Sequence, residues 1–465
     1  MSAPFIWIII PAAISLVMLF FRKKYNLICL IQSGICVILA GLPFIVQFGP
    51  SVRTGWLSVV ISPELELLGR SLTLNAKYSF LLTILYGFLA IWSLVLHFTK
   101  EKTLLVPLGL LFNGLMLSAL SVDPFLYAAL IIETAVIISI PIMIESTESS
   151  KKSVARFLIY ITLGMPFVLL AGWFLAGGEI SPINEDQLLQ ATLLLGLGFI
   201  FWLAVFPFHS WMPLVAEEVN PIKGYYVLII FPIIVFVLLL KFLDSFVWLR
   251  DYFLIYDAIR VFGLIMVMSG SIWAVFQTNL RKMIGYLMIF SLGTFLLSIS
   301  VNTNEGFLNG AYLILPRITV FLLASISIAT LEKQESSLNT YQLKSSFSEH
   351  PITSLGLVFS LLSLTGMPLT IGFTPMLMLY RLLFPVSPTM TVLLLISMGT
   401  LTIFFLRMAY QIFLPPELEP DDAETKTEKF LIAGLLVLLI LIGLLPGSAF
   451  RMFSNVVSGF EFLIR

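Results

Sequence analysis

Apolar runs of about twenty residues recur from one end of this chain to the other. One of them, VLIIFPIIVFVLLL (Val227–Leu240), has no polar side chain at all. In hydrocarbon the backbone of such a run must bond within itself, so each run is expected to be a helix. About fourteen segments are long enough to cross a bilayer. They lie near 4–21, 27–48, 78–98, 103–121, 124–144, 154–176, 189–208, 222–243, 258–277, 282–301, 307–330, 352–380, 389–413 and 430–446. The composition agrees: 59% of the 465 residues are hydrophobic and 11% are charged. Mean hydropathy is +1.03. A soluble domain carries roughly a quarter charged residues. The chain therefore reads as an all-α polytopic membrane protein, a single transmembrane domain over 1–465.

The formal net charge is +0, which leaves no basic surface for nucleic acid. Cys29 and Cys36 lie seven residues apart in one apolar run and match no metal motif. They read as small core residues. Arg22, Lys23 and Lys24 come after the first apolar run, the reverse of a cleavable signal, so that run is expected to be a permanent span. Basic residues cluster after odd-numbered spans: Arg22–Lys24, Lys100 and Lys102, Lys151, Lys152 and Arg156, Arg281 and Lys282, Lys333 and Lys344. The loop with Arg53, Arg70 and Lys77 is the exception. The positive-inside rule then puts both termini on the non-cytoplasmic side. The longest polar stretches, 49–77, 332–350 and 414–429, are too short for a sizeable soluble domain. Any chemistry is expected within the bundle or in partner subunits.

Two spans carry helix breakers. Span seven has Pro207 and Pro213; span twelve has Pro368, Gly372 and Pro375. In lipid, broken helices are tolerated only inside protein or beside a wet cavity. Transporters of inverted-repeat design place such breaks at matching positions in their two halves. These breaks are five spans apart, and an odd helix number inverts a repeat. Two inverted five-helix repeats are expected, about 103–243 and 258–413, flanked by helices 1–3 and 14.

Few ionisable residues lie within the spans, and those that do are functional candidates by default. Glu133 is central in span five and Arg317 lies about ten residues into span eleven. Lys241 is near the end of span eight and Arg407 near the end of span thirteen, both within reach of the interface. His209 follows the first proline of the span-seven break, whereas His97 and His350 lie near helix ends. Glu133 reads as a proton carrier or relay partner; the alternative is a carboxyl held neutral or paired for packing. Arg317 reads as a relay member or as half of a structural pair with a carboxylate. His209 either switches near neutral pH or caps freed carbonyls. Glu133, His209, Arg317 and Lys241 are the proton-path candidates.

GFIFWLAVFPFHSWMPLVAEEVNP (Gly198–Pro221) resembles the signature of the antiporter-like subunits of respiratory complex I and of Mrp-type cation/proton antiporters. QTNLRKMIGYLMIFSLG (Gln277–Gly293) and GMPLTIGFTPMLMLYRLL (from Gly366) resemble two further segments of that family. Glu133 stands where the family keeps a span-five glutamate, and the likeness covers about 100–410. The resemblance implies inverted repeats with broken helices seven and twelve. It also implies a mid-membrane chain of glutamate, lysine and histidine residues that moves protons through water. The departures are specific. The family's span-seven lysine falls on Trp202, its span-eight lysine near Ile234, and its span-twelve lysine or glutamate on Met376. Glu133 then lacks its expected partner and is neutral, or paired with Arg317 or another group.

The resemblance implies other membrane subunits as partners, in an energy-coupling inner or cytoplasmic membrane. The complex is of the proton-translocating NADH/quinone or related redox type, with this chain's proton path degenerate. The alternatives are a purely structural paralogue, or a subunit of an Mrp-type antiporter or ion-coupled uptake system. Protons or other cations are the moving species. The chain ends about nineteen residues beyond span fourteen, which favours the shorter, mid-arm kind of subunit. It has no nucleotide, flavin or metal motif; no cofactor, metal site or redox centre is expected in this chain.

Overall fold

The computed structural model describes residues 2–48, 60–67, 69–145, 147–176, 185–332, 339–416 and 424–447, with Phe460 and Leu463. A π-helical turn, Phe5–Ile9, leads into α1 (Ile10–Phe20). The chain continues through α2 (Tyr25–Ile45), α3 (Ser79–Thr99), α4 (Leu105–Ser121), α5 (Leu126–Met143), α6 (Glu148–Ala176) and α7 (Glu185–Trp202). Then come α8 (Trp211–Glu218), α9 (Pro221–Ser245), the short α10 (Val247–Arg250), α11 (Phe253–Phe276) and α12 (Leu280–Ile299). The remainder forms α13 (Asn304–Tyr312), α14 (Ile314–Leu331), α15 (Ser346–Glu349), α16 (Pro351–Leu364), α17 (Phe373–Val386), α18 (Pro388–Ile412) and α19 (Lys426–Leu444).

Local sequence sets several helix starts. Asn220 accepts from the Ile222 amide at 3.0 Å, with Pro221 as the first residue of α9. Asn279 accepts from the Lys282 amide at 3.1 Å to open α12. Thr425 and Glu428 form a reciprocal capping box at α19.

Ten of the described helical segments are long and apolar enough to cross a membrane. Shorter apolar helices include Phe5–Phe20, Leu105–Ser121, Asp186–Trp202, Pro351–Leu364 and Phe373–Val386. The apolar windows of α9, α12 and Asn304–Leu331 are each 89% buried inside the protein, whereas that of α19 is 17% buried. A helix apolar on every side belongs at the centre of a bundle, and α9 is there. Small residues let its neighbours close up: α11 and α12 approach at Gly263, Gly270 and Gly293, where an added Cβ would meet the facing backbone.

Two features depart from an all-α chain of unbroken spans. Within the expected polar loop 49–77, β3 (Glu64–Leu67) and β4 (Arg70–Thr73) pair antiparallel, and β4 pairs with β5 (Val122–Asp123). The alternation Glu64-Leu65-Glu66-Leu67 has the period of a strand, and Gly69 takes φ +72° at the turn. A second pair, β1 (Gln47–Phe48) with β2 (Val60–Ile61), runs parallel. Span eleven is also divided, at Leu313, into α13 and α14. Pro316 has no amide to give the Tyr312 carbonyl.

Ion pairs gather the ends of the helices on one face. Arg281 forks onto Glu332 (2.5 Å), Lys282 meets Glu217 (3.0 Å), and Lys223 lies between Glu101 (3.3 Å) and Glu145 (3.9 Å). These join the loop after α3 and the ends of α5, α8, α9, α12 and α14, so the loops after α3, α5, α8, α11 and α14 share one face. The opposite face carries Lys241 with Asp123 (3.5 Å) and Arg260 with Asp257 (2.7 Å). Arg53, Lys333 and the acidic stretch 417–423 lie outside the described residues.

Candidate proton-path site at the helix breaks

The two interrupted helices share one backbone solution. Helix α7 ends at Trp202, Ala204 turns left-handed (φ +53°), and the Val205 amide bonds back to the Ile200 carbonyl at 3.0 Å. Helix α16 ends at Leu364, Gly366 turns left-handed (φ +73°), and the Met367 amide bonds back to Leu362 at 3.2 Å. Each is a Schellman ending, which satisfies carbonyls that the helix would otherwise leave bare. Residues 203–210 and 365–372 then link to α8 and α17, eight residues in each case. Pro207 and Pro368 lie in these linkers, and Gly372 closes the second, its amide on Ser363 Oγ at 3.2 Å. Pro213 and Pro375 lie elsewhere than expected: each is the third residue of the helix after the break. A proline there has no intrahelical bond to lose, so these two start helices rather than break them.

Trp202 is fully buried at the last position of α7. Its indole Nε1 donates to the Ile161 carbonyl of α6 at 3.0 Å, and its ring meets Phe199 edge-on. The seat is made by Gly164 of α6, where an added Cβ would collide with the indole. Gly198 lets the two backbones approach there. One residue along α6, Thr162 Oγ1 donates to Glu133 Oε1 at 2.6 Å. Glu133 Oε2 lies buried with no hydrogen-bond partner among the described residues, and none of their cationic side chains is within 4.0 Å of the carboxylate. One residue before Ile161 on α6, Tyr160 Oη lies 3.4 Å from Ser210 Oγ of the linker. His209, half-buried in the linker, stacks on Phe206 at 5.4 Å and faces the Tyr286 ring at 6.5 Å. The indole thus bonds to Ile161, whose neighbours along α6, Tyr160 and Thr162, reach Ser210 and Glu133 respectively.

Arg317 has no carboxylate partner among the described residues, which corrects both the pairing with Glu133 and the structural ion pair. It is 1% exposed and donates to the Met288 carbonyl (2.9 Å) and the Leu228 carbonyl (3.3 Å). Leu228 lies four residues before Pro232, which has no amide to offer it. The guanidinium takes the place of the missing bond, with the Phe321 ring 5.3 Å from its centre. Lys241 donates to the Leu120 carbonyl (2.9 Å) at the end of α4 and reaches Asp123, at the face opposite the ion pairs. Ile234 and Met376 are buried. No hydrogen bond or ion pair joins Glu133, His209, Arg317 and Lys241 to one another among the described residues.

Thr162, Tyr160 and Ser210 were not singled out from the sequence. Ser210 was visible within the break itself. The other two lie on a separate helix and carry no local signal.

Discontinuous helices in a nearly chargeless bundle define a polytopic helical membrane protein. The chain is similar to NADH-quinone oxidoreductase subunit N of Deinococcus radiodurans: 22% identical over 271 residues, 57% of this chain and 55% of that one. It thus spans little more than half the length of that relative. Its fold matches a chain in the structure of the Mrp complex from Dietzia sp. DQ12-45-1b, with a TM-score of 0.85, 14% identity, and coverage of 100% of this chain and 99% of that chain. A chain of respiratory complex I from Thermus thermophilus matches with a TM-score of 0.73, 17% identity, and coverage of 86% and 89%. The model of the NADH:quinone oxidoreductase/Mrp antiporter transmembrane family matches residues 125–402, and the chain belongs to that family.

Proposed function

We propose that this chain is an antiporter-like membrane subunit of a multi-subunit ion-translocating complex, with its own proton path interrupted at Trp202. The carrying observation is the buried indole of Trp202, its Nε1 on Ile161 and its ring seated on Gly164. An indole is a donor only and cannot pass a proton on. Arg317 and Lys241 are occupied by backbone carbonyls, which leaves Glu133 without a titratable neighbour in a relay. In this reading the chain transmits position and packing between subunits, and proton transfer belongs to its partners.

Several features support the finer architecture. The ten long helices, together with Phe5–Phe20, Leu105–Ser121 and the two broken ones, make about fourteen crossings. The matching Schellman endings and linkers support inverted five-helix repeats. The shared face of the odd-to-even loops supports a cytoplasmic ion-pair face with both termini opposite. A cysteine placed near residue 2 and labelled in sealed vesicles checks this: labelling from the cytoplasmic side alone overturns it.

The decisive experiment replaces Glu133 by Gln in the intact complex. Proton translocation is expected to stay unchanged with normal assembly. A loss of translocation with assembly intact would return Glu133 to a working path. Subunits co-purified with the chain assign the kind of complex: iron–sulfur or flavin proteins for a redox machine, further antiporter subunits alone for an Mrp-type one.

A further inference from the structure

Between α7 and α9 on one side and α11 and α12 on the other lies a cavity of about 300 Å³. Its walls are hydrocarbon, from Phe199, Phe242, Ile259 and Phe262 among others, and Thr192 is the one hydroxyl residue lining it. Its mouth opens sideways: Leu193 is 60% and Leu197 37% exposed on the outer flank of α7, at the level of the spans. Leu203 and Val205, in the first helix break, close the inner end. Leu249 of α10 roofs the other end. Beside that roof stand Trp248, Tyr252 and the exposed Phe253, the aromatic signature of a membrane–water interface. Gly196 lines the cavity, and a Cβ added there would meet nothing within 4 Å. The void therefore reaches the backbone of α7.

Three occupants can be compared. Water needs two to four polar partners, and these walls do not supply them. A ligand with a polar ring needs a few placed donors or acceptors, which are equally lacking. Hydrocarbon needs only contact, and a groove left empty beside lipid forfeits dispersion energy along its whole lining. The volume is at the low end of the ~300–1,000 Å³ of small-molecule sites. It suits one narrow flexible chain. We infer that this cavity seats one acyl chain of a membrane phospholipid, with its glycerol and headgroup at the α10–α11 turn. The bound chain packs against the first helix break from the lipid side and fills the gap between α7 and α11.

The test uses the full-length protein in phosphatidylcholine vesicles doped with phosphatidylcholine that carries a diazirine in mid-chain. After irradiation, mass spectrometry maps the adducts. Adducts are expected on Phe199 and Phe242, which are buried from the flank. They should fall several-fold in Gly196→Phe and Ala258→Phe, while adducts on the exposed flank of α19 stay constant. The inference is overturned if wild-type Phe199 and Phe242 remain unlabelled, or if both variants fold and label like wild type. Recovery of a stoichiometric non-lipid compound from the purified protein, displaced by either variant, also overturns it. Should neither variant fold, wild-type labelling of the two interior rings decides by itself.

Discussion

At the level of single residues, the chain replaces charge with shape. Trp202 is held by a hydrogen bond to Ile161 and by the absence of a side chain at Gly164. Gly164→Ala is expected to destabilise the protein by roughly 1–3 kcal/mol through overpacking. Trp202→Leu in that background should recover part of the loss, as read by thermal unfolding in detergent. Additive effects would mean that the two sites do not touch. Arg317 offers a sharper coupling. Its bond to Leu228 matters because Pro232 withholds an amide. Pro232→Ala should restore that amide and be more favourable in an Arg317→Met background than alone, by about 1–2 kcal/mol. Zero coupling in the double-mutant cycle would refute the substitution of guanidinium for amide. Trp202 was legible in the sequence because a motif surrounds it. Gly164 was not, because it lies 38 residues earlier on another helix.

The two helix breaks make a pair of elements whose helix endings take the same turn and whose residues differ. Ala204 adopts a conformation that suits glycine, and a Cβ there is strained. Ala204→Gly is therefore expected to stabilise by up to about 1 kcal/mol. Gly366→Ala should destabilise by about 1 kcal/mol or more, since its Cβ would also press on Met376. Thermal midpoints of the two variants should move in opposite directions; the same sign for both would show that the breaks are not equivalent. The prolines marked both breaks in the sequence. They did not mark which of them start helices. That depends on the position of each proline relative to the next hydrogen-bonded turn, which only the folded backbone defines.

Across the whole molecule, the ion-pair face links helices from both halves of the bundle. Lys282–Glu217 ties α12 to α8, the helix that follows the first break, and Gly285 leaves room there for Pro213. The Arg281–Glu332 fork is the most buried of these pairs, with side chains 16% and 5% exposed. Glu332→Gln is expected to cost roughly 2–3 kcal/mol by leaving a desolvated guanidinium with a weaker partner. Little of that loss should depend on salt, because a buried pair is poorly screened. A strong salt dependence of the difference in thermal midpoint would place the fork in solvent instead.

The recurrence of apolar segments, their charge asymmetry and the two proline clusters settled from sequence alone that this is a helical membrane protein with interrupted helices. Those properties come from local hydrophobicity and backbone chemistry, which neighbouring residues carry together. Which groups meet was decided only by the tertiary structure. Glu133 finds Thr162 rather than Arg317, Arg317 finds carbonyls rather than a carboxylate, and Trp202 finds the gap at Gly164. Each of these partners lies at least 29 residues away along the chain. Contacts of that kind are set by how helices pack, and a one-dimensional pattern holds no record of which faces will touch.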